Sequence, residues 1–171
     1  MLQPHFWHKI FRTVKNTREM LRHAVATVAY RGGKTIRDAP AAFAEFRAGP
    51  TSRTAAEILS HMGDLFDWAL TQAKGVEAWH QSGAAAWDPT ADRFFRSLAD
   101  FDAYLASDQP IKCSEEQLLQ GPIADALTHI GQLAMLRRLA GAPVRGESYA
   151  NADIAVGRVG REQTVPRREF D

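Results

Sequence analysis

Thr54-Ala55-Ala56-Glu57-Ile58-Leu59-Ser60-His61-Met62-Gly63-Asp64-Leu65-Phe66-Asp67-Trp68-Ala69 is the stretch on which the fold turns. Thr54 and Glu57 stand three apart, the spacing at which a threonine hydroxyl and a glutamate carboxylate each satisfy a free backbone N–H at a helix start. Behind them Ile58, Leu59, Met62, Leu65, Phe66 and Ala69 recur every three or four residues. That period lays them along one side of a helix, so the segment predicts a helix with one buried face, reaching about Lys74 before Gly75.

The same reasoning extends in both directions. Phe6, Trp7, Ile10, Phe11, Val14, Leu21, Val25 and Val28 keep helical spacing and predict a helix from about His5 to Tyr30, ended by Gly32-Gly33. A short apolar turn around 41–47 stops at Gly49-Pro50. Residues 75–87 read as a crossover or lid-like loop. Asp88-Pro89 then supplies an N-cap and a first-turn proline for a helix through about Ser107, with Phe94, Phe95, Leu98, Phe101 and Leu105 buried. Ser114 and Gln117 repeat the capping box, Gly121-Pro122 introduces a kink, and a last long helix runs from Pro122 to Ala140, closed by Gly141. Residues 142–171 hold few large apolar groups, with a short extended piece at 153–156. Four long amphipathic helices joined by connections longer than hairpins predict an all-α four-helix bundle with crossover connections. It forms a single domain over 1–171, with the bundle at about 5–143 and an irregular wrapping tail at 144–171.

Composition sets the outer bounds. Of 171 residues 45% are apolar and 24% charged, which fits a folded globular chain and excludes a disordered one. The lone cysteine, Cys113, cannot form an internal disulfide, and no run of ~18 apolar residues is present to cross a bilayer. The formal charge of +1 is unevenly spread: eight Lys/Arg against Glu19 over residues 1–37, nine basic against sixteen acidic residues over 38–157. A basic leading segment can meet nucleic acid, an anionic membrane or an import receptor. Its unbroken helical apolar spacing favours a core helix with a solvated basic face, and no nucleic-acid or membrane partner is expected.

Three polar residues lie where the apolar faces end. His61 falls between Leu65 and Trp68 on the helical wheel, and Asp125 and His129 stand four apart, one turn above each other on one face. Two imidazoles and a carboxylate from facing helices suit zinc or another first-row divalent metal and leave positions open for water or substrate. Such a metal stays net positive and lowers the pKa of a bound water or thiol. The same spacing also describes a surface Asp–His pair and an ordinary hydrogen-bonded core histidine, and taken alone it favours these plainer readings.

Two strings add a family pattern. Asp125-x-x-x-His129-Ile130-Gly131-Gln132-Leu133, with Leu136-Arg137-Arg138-Leu139-Ala140-Gly141-Ala142-Pro143-Val144 after it, resembles the last helix of the DinB-like (DinB/YfiT-like) superfamily of metal-dependent helical-bundle enzymes. Ala56-Glu57-Ile58-Leu59-Ser60-His61-Met62 is similar to their second helix, where the first ligand histidine stands. Many members carry a histidine where this chain has Asp125; an acidic residue there occurs in the mycothiol-dependent maleylpyruvate isomerase branch. The resemblance implies His61, Asp125 and His129 as ligands of a divalent transition metal (zinc, nickel or iron), with a metal-bound water or thiolate as the reactive group. It also implies a low-molecular-weight thiol S-transferase or thiol-dependent isomerase acting on a small-molecule substrate, and a homodimer. Gln132, on the face of Asp125 and His129, is the candidate to orient the reactive group.

Other residues have plainer readings beside their functional ones. Arg137 and Arg138, with Arg145, Arg158 and Arg161, can hold an anionic substrate, or simply face solvent or a dimer partner. Cys113 precedes a helix cap with no histidine nearby, and His5 and His8 belong to the basic face. Trp79, His80 and Trp87 sit in or beside the long loop, where tryptophans either roof a pocket or pack as cover. The single thiol and the lack of an apolar export signal place the chain in the cytoplasm. The alternative function is a non-catalytic helical bundle that binds a partner through its basic first helix or arginine-rich tail.

Overall fold

The Thr54 capping box is closed in the structure, a computed structural model that describes residues 4–170, with side chains from Thr17 onward. Thr54 Oγ1 accepts from the Glu57 N–H at 3.2 Å, and the Glu57 carboxylate accepts from the Thr54 N–H at 2.7 Å. Helix α2, Ala55–Ala73, grows from this start. The described residues are mostly helical. The other long helices are α1 (Pro4–Ile36), α3 (Trp87–Ala106) and α5 (Ala124–Leu139), and a short α4 (Glu115–Leu118) precedes α5.

Each long helix packs chiefly against two others, in the cyclic order α1, α3, α2, α5. Val25, Leu59, Met62, Phe66, Phe94, Leu98, Phe101 and Leu133 are fully buried between them. Phe66 meets Phe94 and Phe101 with ring centroids 6.2 and 6.1 Å apart. Each such side chain contributes about 1.5–3 kcal/mol by leaving water, so the periodic apolar positions dominate the fold's stability. Leu21, Val25 and Val28 are buried as their spacing requires, whereas the side chains of His5, Phe6, Trp7, His8, Ile10, Phe11 and Val14 lie outside the described residues.

Three local expectations need correction. The Gly32-Gly33 pair does not end α1, which continues through both residues to Ile36. A β-carbon on Gly32 would stand 3.2 Å from the Phe94 ring and 3.6 Å from Ile130, so glycine serves close helix approach here and not termination. Asp88 is not the N-cap of α3: Ala86 holds that position, Asp88 lies in the first turn, and the Thr90 hydroxyl donates to the Ala86 carbonyl at 2.9 Å. The short extended piece expected at 153–156 joins no sheet and ends in a turn at 156; the strands among the described residues are β1 (Gly146–Glu147) and β2 (Glu169–Phe170), paired antiparallel.

The expected kink near Gly121-Pro122 is a wide π turn over Leu119–Ile123, which joins α4 to α5 without a break. Pro122 has no N–H to give the preceding turn, and the widened loop accommodates it. By taking up an extra residue the turn resets the helical phase just before Asp125. The basic segment is partly neutralised inside the fold. The Arg22 guanidinium pairs with Asp102 at 2.9 Å, and Arg18 donates to the carbonyls of Ser107 and Gln109 beyond the end of α3. Lys34 reaches Glu147 and Glu169 at 2.9 and 2.7 Å.

Candidate metal centre

Helices α2 and α5 bring His61, Asp125 and His129 together. His129 Nε2 lies 3.4 Å from Asp125 Oδ1, and His61 Nε2 lies 3.7 Å from Asp125 Oδ2. The imidazole rings stand edge to face with centroids 4.8 Å apart, and one donor atom from each of the three residues falls within 4.8 Å of the others. Both carboxylate contacts exceed the 2.7–2.9 Å of a charge-assisted hydrogen bond. They approach the roughly 3.3 Å that separates donors around a tetrahedral ion bound at about 2.0–2.1 Å. The group can hold a metal ion, and its two nitrogens and one oxygen suit a first-row divalent cation.

The two imidazoles are buried to different degrees from the acid. The side chains of His61 and His129 keep 18% and 12% of their surface, Asp125 46%. Metal bound here would therefore be backed by protein on the histidine side and open to solvent beside Asp125. Burial pushes the His61 pKa below its ordinary value; His129 and Arg53 push the same way, while Asp125 and Asp64 oppose them. These effects favour the neutral imidazole, which is the form that ligates metal.

Gln132 fixes His129. Its Oε1 stands 2.8 Å from His129 Nδ1, so with the amide oxygen facing the ring Nδ1 carries the proton and donates, leaving the Nε2 lone pair toward Asp125. The residue chosen from the sequence to orient the reactive group contacts a candidate ligand instead. No protein-family model, curated protein or solved structure matches this chain. What the centre can do follows from its own geometry.

On the far side of His61 the loop between α2 and α3 folds over the centre. The Trp79 ring meets His61 at 5.6 Å and Trp68 at 5.7 Å, both edge on. Trp87, named with it from the sequence, packs instead against Phe43 at 5.2 Å, away from the histidines. The sequence reading missed what holds this loop. Buried Asp64 accepts from the Ser82 N–H at 3.1 Å, and Ser60 Oγ donates to the Gly83 carbonyl at 3.2 Å. The Arg93 guanidinium pairs with Asp64 and Asp67 at 2.6 Å each and donates to the Ser60 carbonyl at 3.0 Å. Asp64 stands one turn after His61 on a largely buried stretch, which was the available signal; its partner on α3 left none.

Arg137 and Arg138 do not join the centre. They stand eight and nine residues past His129, about 12 Å or more along the helix axis. Arg137 is buried and donates to the carbonyls of Ala142 at 2.7 Å, Thr35 at 3.2 Å and Arg37 at 3.1 Å, tying the end of α5 to the end of α1. Arg138 is exposed. Arg158 pairs with Asp153, and Arg161 with Asp92. Cys113 is partly buried, and burial raises its thiol pKa, the reverse of an activated nucleophile.

Proposed function

We propose that the chain is a DinB-like four-helix bundle with crossover connections and a metal-dependent enzyme of the low-molecular-weight thiol S-transferase or thiol-dependent isomerase type. One observation carries this reading: two imidazoles and a carboxylate from separate helices converge within 4.8 Å, with Gln132 holding one imidazole in the ligating tautomer. His61, Asp125 and His129 would hold zinc, nickel or iron, which supplies a Lewis acid that lowers the pKa of a thiol. In the transfer the S–H bond ionises and its proton passes to solvent. The sulfur electron pair then forms the S–C bond as the leaving group departs with its own pair. Gln132 keeps His129 oriented throughout, Trp79 shields the His61 side from water, and the open side at Asp125 admits the thiol. The free Cys113 thiol agrees with a reducing, cytoplasmic setting, and a homodimer belongs to the same family-based proposal.

Metal analysis of the purified protein beside His61→Ala and His129→Ala tests it. The expected outcome is a stoichiometric divalent metal in the parent protein and its loss from both variants. Equal metal content in all three overturns the site.

A further inference from the structure

His129 and Gln132 are also the inner end of an open groove of about 510 Å³. Its walls are Ile58 on α2 and Met135, Leu136 and Leu139 on α5; Ser52 and Arg53 stand at the loop before α2. Ile58 precedes His61 while Leu136 follows His129, so the two helices run in opposite directions past the groove. It therefore leads away from the histidines toward Arg53 and Leu139, a distance of roughly 9–15 Å at 1.5 Å per helical residue. The volume lies in the range of small-molecule sites, ~300–1,000 Å³.

The chemistry of the lining is graded along this length. Next to the histidines it offers a ligand ring and an amide; the middle is aliphatic and thioether; the outer end holds a cation. Arg53 forms no ion pair or hydrogen bond among the described residues; Glu57, whose carboxylate it stabilises through space, accepts its hydrogen bond from the Thr54 N–H of the capping box. Met135 and Leu139 keep 55% and 57% of their surface, an apolar strip unusual on an otherwise polar helix face.

We propose that this groove is the site of the electrophilic substrate and that it takes an amphipathic organic carboxylate. The carbon chain lies on Ile58, Met135 and Leu136, the carboxylate meets Arg53, and the reacting end is presented beside His129. The identity of the reaction rests on the proposed function above; the ligand class rests on the groove itself, and the two can fail separately.

Octanoate is the probe, with 1-octanol as its uncharged counterpart, titrated calorimetrically into the protein with and without zinc. Octanoate is expected to bind more tightly than 1-octanol, and Arg53→Gln to weaken octanoate about tenfold while leaving 1-octanol unchanged. Met135→Glu is expected to weaken both ligands. Both substituted residues are exposed, so loss of the fold is not the anticipated effect. Octanoate binding that is absent, or equal in the parent and both variants, overturns the proposal. So does a parent dimer that Met135→Glu converts to monomer, because the strip would then be a contact between copies. Octanoate binding without zinc uptake sinks the metal reading alone; zinc uptake without octanoate binding sinks the groove alone.

Discussion

At the scale of single residues the candidate centre depends on one amide as much as on the three residues that could hold a metal. Gln132 touches the cluster at His129, and its contact sets which imidazole nitrogen is bare. Gln132→Ala removes that restraint and leaves the ring free to turn; zinc affinity is expected to fall about 10–100-fold, and Gln132→Glu to restore most of it because a carboxylate accepts the same proton. Competition with a chromophoric chelator measures this, and unchanged affinity in Gln132→Ala would show that the contact does not position the ring. Two of the three candidate ligands are legible in the sequence because i, i+4 spacing fixes Asp125 and His129 on one face. His61 is legible only as a residue at an apolar margin; that it faces α5 follows from packing between helices, which no local pattern encodes. Arg137 shows the converse. A buried guanidinium bonded to the carbonyls of Thr35, Arg37 and Asp38, about a hundred residues away, reads, in sequence, like any arginine offered to a ligand.

At the scale of elements, periodicity located every long helix, and the errors fell on residues whose local preference was overridden by a neighbour in space. Gly32 favours a helix stop, yet close contact with Phe94 makes glycine useful inside α1. This predicts opposite effects from one substitution at two helical glycines. Gly32→Ala forces a β-carbon to 3.2 Å from the fully buried Phe94 ring, which must shift within the packed core to make room, and is expected to destabilise by about 1–3 kcal/mol. Gly131→Ala meets nothing within 4 Å on the exposed side of α5 and is expected to stabilise by about 0.5–1 kcal/mol. Denaturant unfolding of both variants distinguishes them; two changes of the same sign would refute the account of α1. The pairing of β1 with β2, which no local pattern signals, has a similar origin. Residues 146–147 and 169–170 pair because Glu147 finds Tyr30 and Lys34 on α1, a contact across more than a hundred residues.

At the scale of the whole molecule, the tail is fastened to α1 by a buried polar cluster whose protonation ties stability to pH. Tyr30 Oη donates to Glu147 at 2.7 Å; burial and this bond push the tyrosine pKa well above its ordinary value. Burial disfavours the Lys34 charge, but the carboxylates of Glu169 and Glu147 outweigh it and raise that pKa too. Both groups thus hold their protons more tightly folded than unfolded. Their stabilisation is complete below the unfolded values near 10 and fades as pH rises through and beyond them, so Tm is expected to be flat from about pH 7 to about pH 9 and to fall above about pH 10. Tyr30→Phe removes one donor from a buried carboxylate and is expected to cost about 1–3 kcal/mol at neutral pH while making the alkaline fall shallower. An alkaline slope identical to that of the parent protein would assign the effect elsewhere. The clasp between β1 and β2 also orders events during synthesis. Glu147 leaves the ribosome before Glu169, so a nascent chain that has already wound its helices must wait for the second acid before Lys34 is fully matched and the two strands can pair.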